Sequence, residues 1–165
     1  FFADTTVNVN PNSEQLAEIA ISAAETVKEF EIEPKIALLS LSNFGSVRHP
    51  EAVKVKRAVK IINDLRPDLE VDGEMQADTA VVNEILENEF PFSNLKNCAN
   101  VLIFPNLSAG NIAYKLFERL TDATVIGPIL MGMKKPIHIL QRNSTVEDFI
   151  NMSAIAVVEA KHNGD

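Results

Sequence analysis

Apolar positions near the start of the chain recur at the spacing of a helix face. Leu16, Ile19, Ala20, Ala23, Ala24 and Val27 share one side of a helix predicted over Glu14 to Phe30, with Asn12 or Ser13 as its cap and Glu14 adding negative charge in the first turn. Pro34 stops that pattern, and the run from Lys35 to Ser40 has the continuous apolar character of a buried strand. After loop residues Ser42 to Ser46, Pro50 suits a first helical turn, and Val53, Val55, Ala58, Ile61, Ile62 and Leu65 supply the apolar positions of a helix ending near Pro67. A strand from Asp68 to Asp72 and a helix from Ala77 to Glu89 follow. Val101 to Phe104 is the clearest central strand; Pro105 closes it, and a helix is predicted over Gly110 to Leu120. Thr124 to Ile126 and Pro136 to Leu140 read as short strands, and a last helix runs from Val146 to Glu159. Strands alternating with helices predict an α/β fold with a mainly parallel sheet covered on both faces, in one domain spanning residues 1–165.

Parallel sheets bind ligands beyond the carboxyl ends of their strands. The polar residues that follow each predicted strand are therefore the first candidates: Ser40, Ser42 and Ser46; Asp72, Glu74, Gln76 and Asp78; Asn106, Ser108 and Asn111; Arg142, Asn143 and Ser144. The same residue types also build turns and helix caps. Asp72 and Glu74 share a face if their strand continues, as a metal or acid–base pair would require. In the competing reading Asp72 ends the strand, while Glu74 and Asp78 interact with the amino end of the next helix. His49, His138 and His162 are too scattered to form a metal set, and His138 alternates with Ile137 and Ile139 so as to meet solvent or a partner.

Composition narrows the classes. The 165 residues carry 15 basic and 23 acidic side chains, a net charge of -8 that repels phosphate backbones and argues against nucleic acid as a partner. Cys98 is the only cysteine, which excludes an internal disulfide and points to a reducing, cytoplasmic setting, with Cys98 read as a small buried hydrophobe. No apolar run reaches the roughly 20 residues that cross a bilayer. The chain opens on Phe1 and Phe2 with neither Met nor a basic leader, and so reads as a piece of something longer.

Two motifs, Asp72-Gly-Glu-Met-Gln-Ala-Asp78 and Phe104-Pro-Asn-Leu-Ser-Ala-Gly-Asn-Ile-Ala-Tyr-Lys115, resemble the phosphate acetyltransferase family, and the resemblance keeps motif order from about Leu38 to Ala160. The family moves an acetyl group between coenzyme A and phosphate. The resemblance implies a three-layer α/β/α sandwich related to isocitrate dehydrogenase, and a homodimer or higher oligomer. It places the family's catalytic serine at Gln141, where an amide cannot replace a hydroxyl, and it aligns Arg142, Arg119 and Asp148 with functional positions of the family. Guanidinium groups suit phosphate oxygens; ion pairs with Glu118 or Asp122, and with Glu147 or Asp148, are the alternatives for the two arginines. Asn111, Ser144, Tyr114 and Lys115 complete the expected groove. Asn106 stands where the family usually has aspartate, a second departure from its pattern.

Ser42-Asn-Phe-Gly-Ser46, His138-Ile-Leu-Gln141 and Ile150-Asn-Met-Ser-Ala-Ile-Ala156 look more like one branch, the carboxyl-terminal acetyltransferase-like domain of large bacterial NADP-dependent malic enzymes. That likeness implies a catalytically degenerate sensor of acetyl-CoA or an acyl phosphate. Malate decarboxylation to pyruvate, with its NAD(P) and Mg2+ or Mn2+, would belong to a preceding region. A working phosphate acetyltransferase is the alternative. No metal ligand set or cofactor is expected within the chain itself.

Overall fold

The computed structural model describes residues 1–140, 142 and 144–162. Four parallel strands, β1 (Phe2–Ala3), β2 (Lys35–Leu39), β3 (Glu70–Met75) and β4 (Val101–Ile103), form one sheet in the order β1-β4-β2-β3. The helices are α1 (Ser13–Glu29), α2 (Pro50–Leu65), α3 (Ala77–Val81), α4 (Asn83–Glu89), α5 (Leu107–Leu120) and α6 (Val146–His162). The chain is thus an α/β protein, as the strand–helix alternation predicts. No helix among the described residues is long and apolar enough to cross a membrane.

Both faces of the sheet are buried, and alternation along the strands shows how. Ile36 and Leu38 of β2, with Val101 and Ile103 of β4, face a core closed by α1 and α2. Ala37 and Leu39, with Leu102 and Phe104, face a second core closed by Ala80, Leu86 and Leu95. The seam of α1 is as predicted: Leu16, Ala20, Ala23, Ala24 and Val27 are buried, and Ile19 packs at the margin. In α2 the buried positions are Ala52, Val55, Ala58, Val59 and Ile62, whereas Val53 and Leu65 face out at 61% and 64% exposure. Small residues along both helices permit close approach, and Ser13 Oγ donates to the Lys54 carbonyl across the contact at 2.9 Å.

Several expectations are corrected. The helix expected over 77–89 is two helices, because Val82 takes an extended conformation between them, and Asn83 Oδ1 turns outward to accept the Cys98 amide at 2.6 Å. Helix α5 begins three residues before the predicted Gly110, since Asn106 Oδ1 accepts the Ala109 amide and starts the helix there. Residues 124–126 and 136–140 are not strands. A strand exists only through a neighbour's hydrogen bonds, and the place beside β4 is taken by Phe2 and Ala3, with the Phe1 and Ala3 carbonyls accepting the Leu102 and Phe104 amides. Two residues are too few to show periodicity, so β1 has no signature in the sequence. Cys98 is half-buried rather than sealed in the core.

The strand predicted to end at Asp72 runs on to Met75, but not regularly. Leu38 pairs with Gly73 and Leu39 with Met75, so Glu74 is an extra residue, a bulge that turns the following side chain to the other face. Val71 accordingly packs in the first core and Met75 in the second. Gly73 permits this at φ +140°, and a β-carbon there would lie 2.7 Å from the Leu38 carbonyl oxygen. Gly73→Ala is therefore expected to lower stability by about 2–3 kcal/mol, read as a fall in the urea midpoint with an unchanged slope.

Candidate functional site

With every strand parallel, the segments after β1, β2, β3 and β4 all emerge on one edge. After β1 comes Asp4, which the sequence reading passed over. Its Oδ1 accepts the Thr6 and Val7 amides at 2.7 and 2.9 Å, and its Oδ2 accepts the Asn8 amide and side chain at 2.6 and 2.8 Å. Burial pushes the Asp4 carboxyl up, but these four donors outweigh it and hold the group below its ordinary value. The signal available in the sequence was an Asp followed by Thr, Thr and, four residues on, Asn after an apolar pair.

Helix α5 closes against this turn. A β-carbon on Gly110 would stand 2.2 Å from the Asp4 carbonyl oxygen, so only glycine lets the first turn of α5 approach so near. The next residue, Asn111, donates from Nδ2 to the Thr5 carbonyl at 3.3 Å. Asn111, Tyr114 and Lys115 border a cavity of about 400 Å³ whose apolar walls include Phe2, Phe117 and Ile126. The Lys115 ammonium lies 4.5 Å over the Tyr114 ring and 3.6 Å from Glu118. Lys54 ties α2 to the same edge by donating to the Pro105 carbonyl at 3.0 Å and to Asn10 Oδ1 at 3.2 Å.

Asn106 is a helix cap, a task that asparagine and aspartate perform equally well. The Asp72–Glu74 pair also resolves into structure, because the bulge parts the two side chains. Asp72 accepts Ser93 Oγ and the Asn94 amide at 2.8 and 2.7 Å, strapping the segment after α4 to the sheet. Glu74, only 1% exposed, accepts Ser42 Oγ at 3.1 Å and the Gly45 amide at 2.5 Å, while its Oε2 is buried with no partner. Neither carboxylate meets a helix amino end, whereas Asp78, in the first turn of α3, accepts the Thr79 amide there at 2.9 Å, as the competing reading has it. Gln76 holds the same loop, donating to the Leu41 carbonyl at 3.0 Å.

The remaining candidates lie at the far end of the chain. Arg119 is exposed in the last turn of α5, and Arg142 is exposed in a turn before α6. Among the described residues no carboxylate lies within ion-pair distance of either, so the pairings with Glu118, Asp122, Glu147 and Asp148 do not form. Asp148 instead caps α6: Thr145 donates its amide to Asp148 Oδ2 at 2.7 Å and accepts the Asp148 amide on Oγ1 at 3.1 Å. Ser144 is half-buried beside it. Gln141 and Asn143, and the side chain of His162, lie outside the described residues. No hydrogen bond or ion pair among the described residues joins Arg142 or Asp148 to Asn111 or Arg119.

His49 and His138 have local roles. His49 Nδ1 accepts the Glu51 amide at 3.2 Å as the cap of α2. His138 points inward, not to solvent, with Nε2 2.9 Å from Glu159 of α6, while Ile137 and Ile139 face out at 49% and 63% exposure. Without a strand at 136–140, nothing directs the two isoleucines to a core.

The Asp4 turn has a consequence for acid stability. A carboxyl held below its ordinary value near 3.8 stabilises the fold above that pH, and the contribution disappears as pH falls through the lower folded value. Asp4→Asn is expected to cost about 1–2 kcal/mol at neutral pH and to flatten the loss below pH 4, as read by circular dichroism along an acid titration.

Residues 1–157 match the family model described as phosphate acetyl/butaryl transferase. The chain is 48% identical over 161 residues to a phosphate acetyltransferase of Clostridium acetobutylicum, covering 97% of this chain and 48% of that protein. It is also 48% identical over 162 residues to an NADP-dependent malic enzyme of Salmonella typhimurium, covering 98% of this chain and 21% of that protein. Among solved structures, a phosphotransacetylase from Streptococcus pyogenes superposes with a TM-score of 0.92 at 44% identity, over 98% of this chain and 49% of that one. The chain thus spans about half the length of the acetyltransferases it matches and about a fifth of the malic enzyme. With the parallel sheet, the motif order and these matches agreeing, the chain belongs to the phosphate acetyl/butaryl transferase family.

Proposed function

We propose that this phosphotransacetylase-like domain binds acetyl-CoA or an acyl phosphate without transferring the acyl group, and serves as the regulatory part of a malic enzyme. The observation that carries the reading is Gln141. Glutamine is neutral and longer than serine, and it offers neither a hydroxyl nor a general base where the family's motif has one. Arg142 supports the binding half of the reading. It is exposed and free of any described carboxylate, so its charge is available to an anion in an otherwise acidic chain. Malate decarboxylation, its NAD(P) and its divalent metal would be the business of residues outside this chain. Association into a dimer would use the exposed apolar positions of α5, where Ile112, Leu116 and Leu120 recur every fourth residue. The apolar face of α1 is already used in the protein's own core.

A second reading, an active phosphate acetyltransferase, is favoured by the 48% identity to a protein of that name. The two separate cleanly in an assay of the full-length protein. Acetyl-CoA formation from acetyl phosphate and coenzyme A should remain at background; turnover of about 10 per second or more is ordinary enzyme behaviour and would establish the second reading. Arg142→Ala should weaken acetyl-CoA binding by about 1.5–3 kcal/mol, roughly one to two decades. Arg142→Lys should recover only part of that loss. Malate turnover without effector should be unaffected by either change.

A further inference from the structure

Few polar contacts hold the chain between α5 and α6. From Thr124 to Leu140 it forms neither helix nor strand, and among the described residues no hydrogen bond joins this stretch to the rest of the protein. Its packing is apolar: Met131 lies against the first core, and Ile126 lines the cavity beside Phe2. The polar tie among the described residues is His138, whose Nε2 stands 2.9 Å from Glu159 Oε2, with side chains 7% and 9% exposed. Charge matters more to this contact than direction. The two atoms are close but not aligned as donor and acceptor, and Nδ1 has no hydrogen-bond partner among the described residues. A poorly aligned contact gains little unless both members are ionised. With nothing fixing Nδ1, no second hydrogen bond locks the ring in one protonation state.

The surroundings of Glu159 sharpen that dependence. Across a cavity of about 150 Å³ it faces Glu25 and Glu29 of α1, and the exposed Lys135 is the cation among the lining residues. Glu25 is itself paired with Arg66 at 3.0 Å. Helix α6 packs on α1, with Met152 and Ile155 as its buried apolar side chains among the described residues. A charged imidazole balances Glu159. A neutral one leaves a buried carboxylate opposite two others of the same sign, which opposes that packing. Imidazole is the side chain that exchanges its charge between about pH 5 and 8, where carboxylates stay ionised. The sign follows: the tie is present at the acid end of that range and is lost as pH rises through it.

The same tie bears on Arg142. That residue lies in the span from Ile139 to Thr145, between His138 and the first turn of α6, which Thr145 and Asp148 cap. With His138 paired, both ends of the span are fastened to one helix and the reach of Arg142 is confined; with His138 released, one end is free. We propose that His138 and Glu159 form a proton-operated tether that positions Arg142, so that the domain binds its anionic ligand more tightly as pH falls from about 8 to about 6. The inference rests on the acetyl-CoA reading above. Both members of the pair are positioning residues, acting through Arg142.

Calorimetric titration of the intact parent protein with acetyl-CoA at a series of pH values tests this. Affinity should be about fivefold to tenfold weaker at about pH 8 than at about pH 6. His138→Gln and Glu159→Gln should bind weakly throughout and lose that dependence, apart from any slope that the ligand's own phosphates give to every variant alike. His138→Lys keeps a charge beside Glu159 and should hold the acid-side affinity at about pH 8. A second readout needs no ligand: protection of α6 from amide exchange, corrected for the intrinsic rate, should fall with rising pH in the parent and not in His138→Lys. Should a glutamine variant fail to fold, His138→Lys against the parent decides the matter. A His138→Gln or His138→Lys protein with the parent's pH profile and protection would overturn the tether and leave the acetyl-CoA reading standing. A parent that binds acetyl-CoA at no pH removes the functional reading and, with it, the claim on Arg142.

Discussion

Parallel pairing is the constraint from which the rest of this structure follows. A parallel neighbour cannot be reached by a tight turn, so each return from β2, β3 or β1 to the next strand crosses over a face of the sheet and carries helical structure with it. Both faces are consequently covered, and β2, in the interior of the sheet, divides its side chains between two cores: Ile36 and Leu38 to one, Ala37 and Leu39 to the other. The same geometry sends all four carboxyl ends to one edge. Asp4, Ser42, Gln76 and Asn106 meet there because their strands run together, although more than a hundred positions separate the first from the last.

A single irregularity shapes that edge. The bulge at Glu74 reverses the facing of β3, so Met75 joins the second core and the buried Glu74 carboxylate turns into the loop that follows β2. A carboxylate this deeply buried is stabilised only by donors. Ser42 and Gly45 supply them, and the loop in return becomes rigid. Gly73 makes the arrangement sterically allowed, since any side chain there would meet the Leu38 carbonyl. An apparent pair of acidic residues thus becomes two separate structural anchors, Asp72 for the segment after α4 and Glu74 for the loop after β2.

The candidate polar residues divide by whether their hydrogen-bonding capacity is already used. Asn106 and Asp148 cap helices, and Asp4 and Asp72 gather backbone amides. Arg119 and Arg142 are exposed and without a described carboxylate partner. In a chain of net charge -8, an exposed guanidinium group without such a partner offsets the average field locally.

The sequence by itself determined the class of fold, the motif order that marks the family and the apolar seam of α1, because each is a matter of residue type and periodic spacing. Strand β1 was not legible, being two residues held by the backbone of β4. Nor was the absence of strands at 124–126 and 136–140, since a strand depends on a partner elsewhere in the chain. Tertiary structure alone decided the separation of Asp72 from Glu74, the capping tasks of Asn106 and Asp148, the inward turn of His138 and the left-handed backbone of Phe44. In each case the deciding contact comes from the route of the chain: a bulge, a helix start, a facing helix or a buried carboxylate. Local pattern specifies what a segment can form, and the neighbours it meets in space select which of those forms it keeps.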